Sequence, residues 1–163
     1  MSAPRTKNDT GKPLTTDKLA LQEFIPYKLA VVANRVSQSI GSLFEQQYGL
    51  QIPEWRLLMT LHSYGPLAPN EVVEHTSMDK GRVSRAQRRL VELDLVAASN
   101  DPRDGRRLVL FLTRTGVKMC RAIIPHARET EEWFLSVLTP TERRALDKIL
   151  SRLLIRSKEP RPS

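Results

Sequence analysis

Two short apolar runs most constrain what this chain can fold into: LVAAS at 95–99 and LVLFL at 108–112. Elsewhere apolar residues recur at three- and four-residue steps, the spacing of a helix face, whereas these compact runs suit strands. Between them lies NDPRDGRR, dense in turn residues and arginine, so the pair forms a β-hairpin with a long basic tip. The expected fold is mainly α with one small hairpin.

The helical segments follow from their punctuation. Ile25, Leu29, Val32, Val36, Ile40, Leu43 and Phe44 mark a long first helix that Gly49 ends. Pro53 opens a second helix carrying Trp55, Leu58, Met59, Leu61 and His62, and Gly65-Pro66 turns the chain. Pro69 starts a short third helix through about His75, with Val72 and Val73 to pack. A fourth runs from about Asp79 to Leu93. A fifth runs from Thr113 to Leu138, where Pro125 is expected to kink or split it. Thr139, Pro140 and Glu142 spell a capping box at the start of the last helix, which runs to about Ile155. Residues 1–18 read as a flexible arm and 157–163 as a frayed tail.

Composition removes several function classes. At 163 residues, the chain is one domain or one subunit of a small oligomer, and 40% hydrophobic residues exclude global disorder. Cys120 stands alone, and His62, His75 and His126 are too scattered for a short metal-ligand spacing. No metal and no cofactor are expected. No G-x-G-x-x-G or Walker loop, no G-x-S-x-G and no nucleophile–base pair points to an enzyme. The polar N-terminus does not read as a signal peptide, and no apolar run approaches membrane-spanning length, so a cytoplasmic location is expected.

Charge narrows the choice further. The net charge is +8 with a pI near 10.1. It is unevenly spread: residues 21–77 carry a net of −2, while KGRVSRAQRR at 80–89 holds five basic side chains and no acid. Wound into a helix, Val83, Ala86, Leu90 and Leu93 fall on one side, and Gly81, Ser84, Arg85 and Arg88 on the other. The first set can pack on the preceding helices. The second combines a small residue, a hydroxyl and two guanidinium groups, which suits a DNA major groove. Gly81 is expected to let the backbone approach closely. Lys80, Arg82, Ser84, Arg85 and Arg88 are therefore candidate DNA contacts on the helix. Arg82 and Arg89 border the apolar stripe, where phosphate contacts compete with ion pairs inside the chain. Arg103, Arg106 and Arg107 are candidates on the hairpin, whose narrow tip can reach a minor groove. Asp101 and Asp104 fit as partners of those arginines or as turn formers.

These motifs carry a family resemblance. SMDKGRVSRAQRRLVELDLVAASNDPRDGRRLVLFLTRTG resembles the recognition helix, wing and following helix start of the MarR (multiple antibiotic resistance regulator) family, and PEWRLLMTLHSYGPLAPNEVV resembles its second and third helices. The similarity extends over roughly residues 22–155. It implies a winged helix-turn-helix at 51–112, with long N- and C-terminal dimerisation helices at 19–50 and 113–156. It further implies a homodimer on a pseudo-palindromic double-stranded DNA operator. Ser84 and Arg85 match recognition-helix contact positions, and Arg106 matches the wing-tip arginine. Ala68 departs from the family, which often has Ser or Thr there to cap the third helix. The family commonly binds its effector between the DNA-binding lobe and the dimer helices. Arg35, Trp55, Arg56 and His62 lie on the relevant elements and would suit a small aromatic carboxylate or its CoA thioester. Peroxide sensors of the family place a cysteine near the start of the first helix, so Cys120 reads as a small buried residue instead.

The expectation is a sequence-specific transcriptional regulator, a repressor released by a small molecule. The alternative is a sequence-tolerant architectural DNA-binding protein that senses nothing.

Overall fold

The computed structural model describes residues 19–100, 105 and 107–160. Its elements, in chain order, are α1 (Ile25–Tyr48), α2 (Ile52–Tyr64), α3 (Pro69–Thr76), α4 (Lys80–Glu92), β1 (Val96–Asn100), β2 (Leu108–Leu112), α5 (Arg114–Leu135) and α6 (Pro140–Arg156). The chain divides into two compact units, 1–35 and 36–163. The expected arm at 1–18 lies outside the described residues, as do 161–163.

Local chemistry sets the boundaries. Gly49, at φ +66°, ends α1, and its N–H donates to the Glu45 carbonyl at 3.0 Å, closing the last turn. At α2 and α3 a glutamate reaches back to the amide preceding the helix, Glu54 to Gln51 at 2.8 Å and Glu71 to Ala68 at 2.7 Å. Ala68 has no side-chain acceptor, so Glu71 supplies the only side-chain half of a capping box there. Asp79 caps α4, Thr113 caps α5, and Thr139 with Glu142 completes a reciprocal box on α6.

The core lies within residues 44–123. Phe44, Leu50, Leu57, Leu58, Leu61, Val72, Val83, Leu90, Leu110 and Ile123 are all buried there. Fully burying one such side chain contributes roughly 1.5–3 kcal/mol, and the set ties α2, α3 and α4 to the hairpin and to the first half of α5. Cys120 belongs to this core, completely buried, and burial pushes its thiol up to about 11.

The strands pair antiparallel from Val96–Leu112 to Asn100–Leu108. Leu67, in the α2–α3 connection, adds a single bridge to β2: its N–H donates to the Leu110 carbonyl at 3.1 Å and the reverse bond is 2.8 Å. At the hairpin's exit, Gly116 lies so close to β1 that a Cβ on it would sit 2.0 Å from the Leu95 carbonyl oxygen.

Pro125 does not split the helix. Helix α5 runs unbroken through it and ends at Leu135, short of Leu138. Proline leaves the Arg121 carbonyl without its usual donor, and its ring crowds that same carbonyl. The Tyr48 hydroxyl donates to the neighbouring Ala122 carbonyl at 2.9 Å.

Several apolar residues assigned to a stripe at the start of α1 are exposed, among them Ile25, Leu29 and Val32. Helix α6 has no buried residue at all, with Ile149, Leu150, Leu153, Leu154 and Ile155 exposed. No described helix is long and apolar enough to cross a membrane.

Candidate nucleic-acid interface

Helix α4 divides as its sequence dictates. Val83, Ala86 and Leu90 are buried at 2% exposure or less, and Leu93 is half-buried just past the helix end. Lys80, Gly81, Arg82, Ser84, Arg85, Arg88 and Arg89 are exposed. The buried stripe packs against α2 and α3, which fixes the rotation of α4 and turns Ser84, Arg85 and Arg88 outward together.

The N-terminus of α4 is closed by its own acid. The Asp79 carboxylate accepts the Arg82 N–H at 2.8 Å, and that bond, reinforced by the Arg82 and Arg85 guanidinium groups, holds its carboxyl below the usual aspartate value. Arg82 Nε also pairs with Asp79 at 3.3 Å, and Arg89 pairs with Glu92 at 3.5 Å. Both pairs are solvent-exposed, where such contacts are worth no more than about 1 kcal/mol, so a phosphate can displace them. Arg85 and Arg88 make no ion pair among the described residues. Gly81 has a local reason to be small: a Cβ there would meet Asp79 Oδ1 at 3.2 Å and Arg85 Nη1 at 3.4 Å.

The wing carries the remaining candidates. Arg103 and Arg106 lie outside the described residues. Arg107 is held where the loop enters β2, its Nη2 2.5 Å from Glu71 Oε1 on α3. The bond from the Ala68 amide and the charge of Arg107 keep the Glu71 carboxyl below its ordinary value.

The effector candidates are only partly brought together. Trp55 and Arg56 share a groove of about 330 Å³ with Thr60, Ser63, Tyr64 and His75. Trp55 packs edge-on against Phe44, with ring centroids 5.5 Å apart, and its buried Nε1 has no partner among the described residues. Arg56 donates to the Ser37 hydroxyl at 2.8 Å. His62 is exposed and lines neither this groove nor the larger cavity; Arg35 is exposed on α1, in the first compact unit. That larger, mainly apolar cavity, about 570 Å³, lies among Val36, Ile40, Met59, Ile124, Phe134 and Leu150, with Arg128 and Arg143 also lining it. Arg143 is committed to Glu132 at 2.7 Å and to the Leu135 carbonyl. Sequence reasoning missed this cavity because its wall mixes four helices whose apolar residues read individually as core.

Comparison with known proteins adds an independent line. Residues 48–107, covering the helix-turn-helix and most of the hairpin, match the model of the MarR family. The HTH-type transcriptional repressor NicR of Pseudomonas putida is 27% identical over 147 residues, 86% of this chain and 93% of the relative. Through residues 48–107 the chain is similar to the MarR family. Its similarity is to DNA-binding transcriptional regulators. Among solved MarR-like structures, a probable transcriptional regulator from Pseudomonas aeruginosa is 29% identical, with a TM-score of 0.67 over 82% of this chain and 98% of that one. A structure of Bordetella bronchiseptica BpsR, described by its regulation of DNA binding by 6-hydroxynicotinic acid, shares the MarR fold at 23% identity and a TM-score of 0.76, covering 88% of this chain and all of that one.

Proposed function

We propose that the chain is a homodimeric repressor that reads a pseudo-palindromic DNA operator and is released from it by a small aromatic acid. The observation that carries the DNA-reading part is the outward face of α4, where exposed Ser84, Arg85 and Arg88 stand opposite buried Val83, Ala86 and Leu90. Arginine can donate two hydrogen bonds to a guanine edge, and serine can contact base or phosphate. Lys80 and Arg82, in the first turn of α4, are suited to phosphate, Arg82 by exchanging its exposed pair with Asp79. Arg106, by family resemblance, and Arg103, from the same basic tip, would extend the contact to the flanking minor groove.

Dimerisation rests on what the single chain leaves uncovered. The exposed apolar residues of α6, together with Trp133 and Val137 at 68% and 84% exposure, would be costly to leave in water. Covering them with a second copy also gives each α4 a symmetry mate. Two half-sites would then be spaced by about one helical turn or a multiple of it.

The effector reading is supported by the larger cavity. Its volume lies within the range of about 300–1,000 Å³ typical of small-ligand sites, and Arg128 gives its apolar wall a cation for a carboxylate. Trp55 and Arg56 offer a second, shallower position for such a ligand. The similarity to NicR, a repressor, and to a MarR-like fold whose DNA binding is regulated by 6-hydroxynicotinic acid supports the same class. A free acid suits the cavity, while a CoA thioester would leave its nucleotide outside.

The test begins with duplexes enriched from a random library on the full chain. A footprint on a short inverted repeat is expected; uniform coating of any duplex would instead establish the architectural reading. Aromatic acids and acyl-CoA thioesters are then screened by thermal shift, because a ligand bound to the folded state raises its stability by mass action. The effector must also release the footprint.

A further inference from the structure

We infer that Glu71 and Arg107 form a positioning pair that sets the wing against the reading head, and that Arg107 acts through Glu71 rather than by gripping phosphate. This rests on the DNA-binding reading above. Both oxygens of one carboxylate are in use. Glu71 Oε2 accepts the Ala68 N–H at 2.7 Å, starting α3, and Oε1 meets Arg107 Nη2 at 2.5 Å, where β2 begins. Three residues further along β2, Leu110 exchanges both backbone hydrogen bonds with Leu67. β2 is therefore tied to the α2–α3 corner twice, by main chain between Leu67 and Leu110 and by side chain between Glu71 and Arg107, the residue before β2.

The substitution Ala68 makes this arrangement consequential. With no hydroxyl to cap α3, the N-terminal turn depends on Glu71, and the same group carries the wing contact. Arg107 is half-exposed, 46% in its side chain, and Glu71 38%, so the pair is open enough for phosphate to compete. The two roles for Arg107 thus predict opposite signs. If Arg107 grips phosphate, Glu71 restrains it, and removing the acid's charge frees a cation and tightens binding. If the pair positions the wing, removing the charge loosens the wing and weakens binding.

Glu71→Gln separates the functions, because glutamine can still accept the Ala68 N–H but no longer pairs its charge with Arg107. The probe is a duplex enriched on the full chain, labelled for fluorescence anisotropy, and read across a salt series. We expect Glu71→Gln to weaken binding by about threefold or more, with unchanged far-UV circular dichroism. Arg107→Gln should weaken binding similarly while leaving the slope of log K against log[salt] unchanged, and the double variant should be no worse than either single one. Amide exchange at Leu110 should quicken in Glu71→Gln.

Tighter binding by Glu71→Gln, no change in its affinity, or a salt slope shallower by about 0.9 for each Arg107 removed would overturn the pair's positioning role while leaving the regulator reading intact. Failure of the parent chain to retain any duplex would overturn the regulator reading itself, and the inference with it.

Discussion

Gly116→Ala should destabilise the protein, against the ordinary rule for helices. In a regular helix the change is worth up to about 1 kcal/mol of added stability, because alanine has the better helix propensity. Here the new methyl carbon would stand 2.0 Å from the Leu95 carbonyl oxygen and 3.0 Å from its carbon. Carbon–oxygen contacts of about 3.3–3.6 Å are comfortable, so the backbones must separate by roughly 1.3 Å. The obstacle is main chain and cannot rotate aside. Leu95 O also accepts the Thr113 N–H at 3.2 Å, and the Thr113 hydroxyl donates to Asp94 O at 2.6 Å while capping Gly116 N–H at 2.9 Å. Retreat therefore strains the start of α5 and the root of β1 together. Overpacking costs roughly 1–3 kcal/mol and a loosened cap about 1 kcal/mol. After the propensity gain is subtracted, a net loss of about 2 kcal/mol is expected. Urea denaturation of parent and variant at one fixed protein concentration measures it, the concentration being held because dimers gain stability by mass action. A Gly116→Ala chain as stable as the parent, or more so, would refute the close approach of α5 to β1.

Three further outcomes follow. Arg85→Ala and Arg88→Ala should each lower affinity for an enriched operator by about 1–3 kcal/mol if they read bases, with a smaller loss on random duplex; equal losses on both would assign them to phosphate. Cys120, with its thiol pushed up to about 11 by burial, should resist alkylation at pH 8 in the folded chain and react quickly in denaturant, and rapid modification of the native protein would contradict its burial. Glu71, Asp79 and Glu142 have carboxyls held below their ordinary values of 4.5, 3.8 and 4.5, chiefly by the backbone amides they accept. Their contribution to stability is complete above those values and is lost as pH falls through the lower folded ones. Denaturation midpoints should accordingly decline below about pH 4.5, and a midpoint rising on acidification would reverse the sign.

The sequence alone determined what periodicity and local chemistry can determine. Two apolar runs fixed one hairpin, Pro140 and Thr139 fixed the start of α6, and Ser84, Arg85 and Arg88 fell on the side of α4 away from Val83, Ala86 and Leu90. Such features depend on residues a few positions apart, whose relative placement is set once a helix or strand forms. The tertiary structure decided whatever joins distant residues. It alone shows Glu71 meeting Arg107 from 36 positions away, a tyrosine on α1 donating to the Ala122 carbonyl of α5, and Leu95 crowding Gly116. It likewise separates His62 from Trp55 and Arg56, and leaves α6 uncovered. Spacing along the chain prescribes which face a side chain occupies; which other face it meets depends on how whole elements pack.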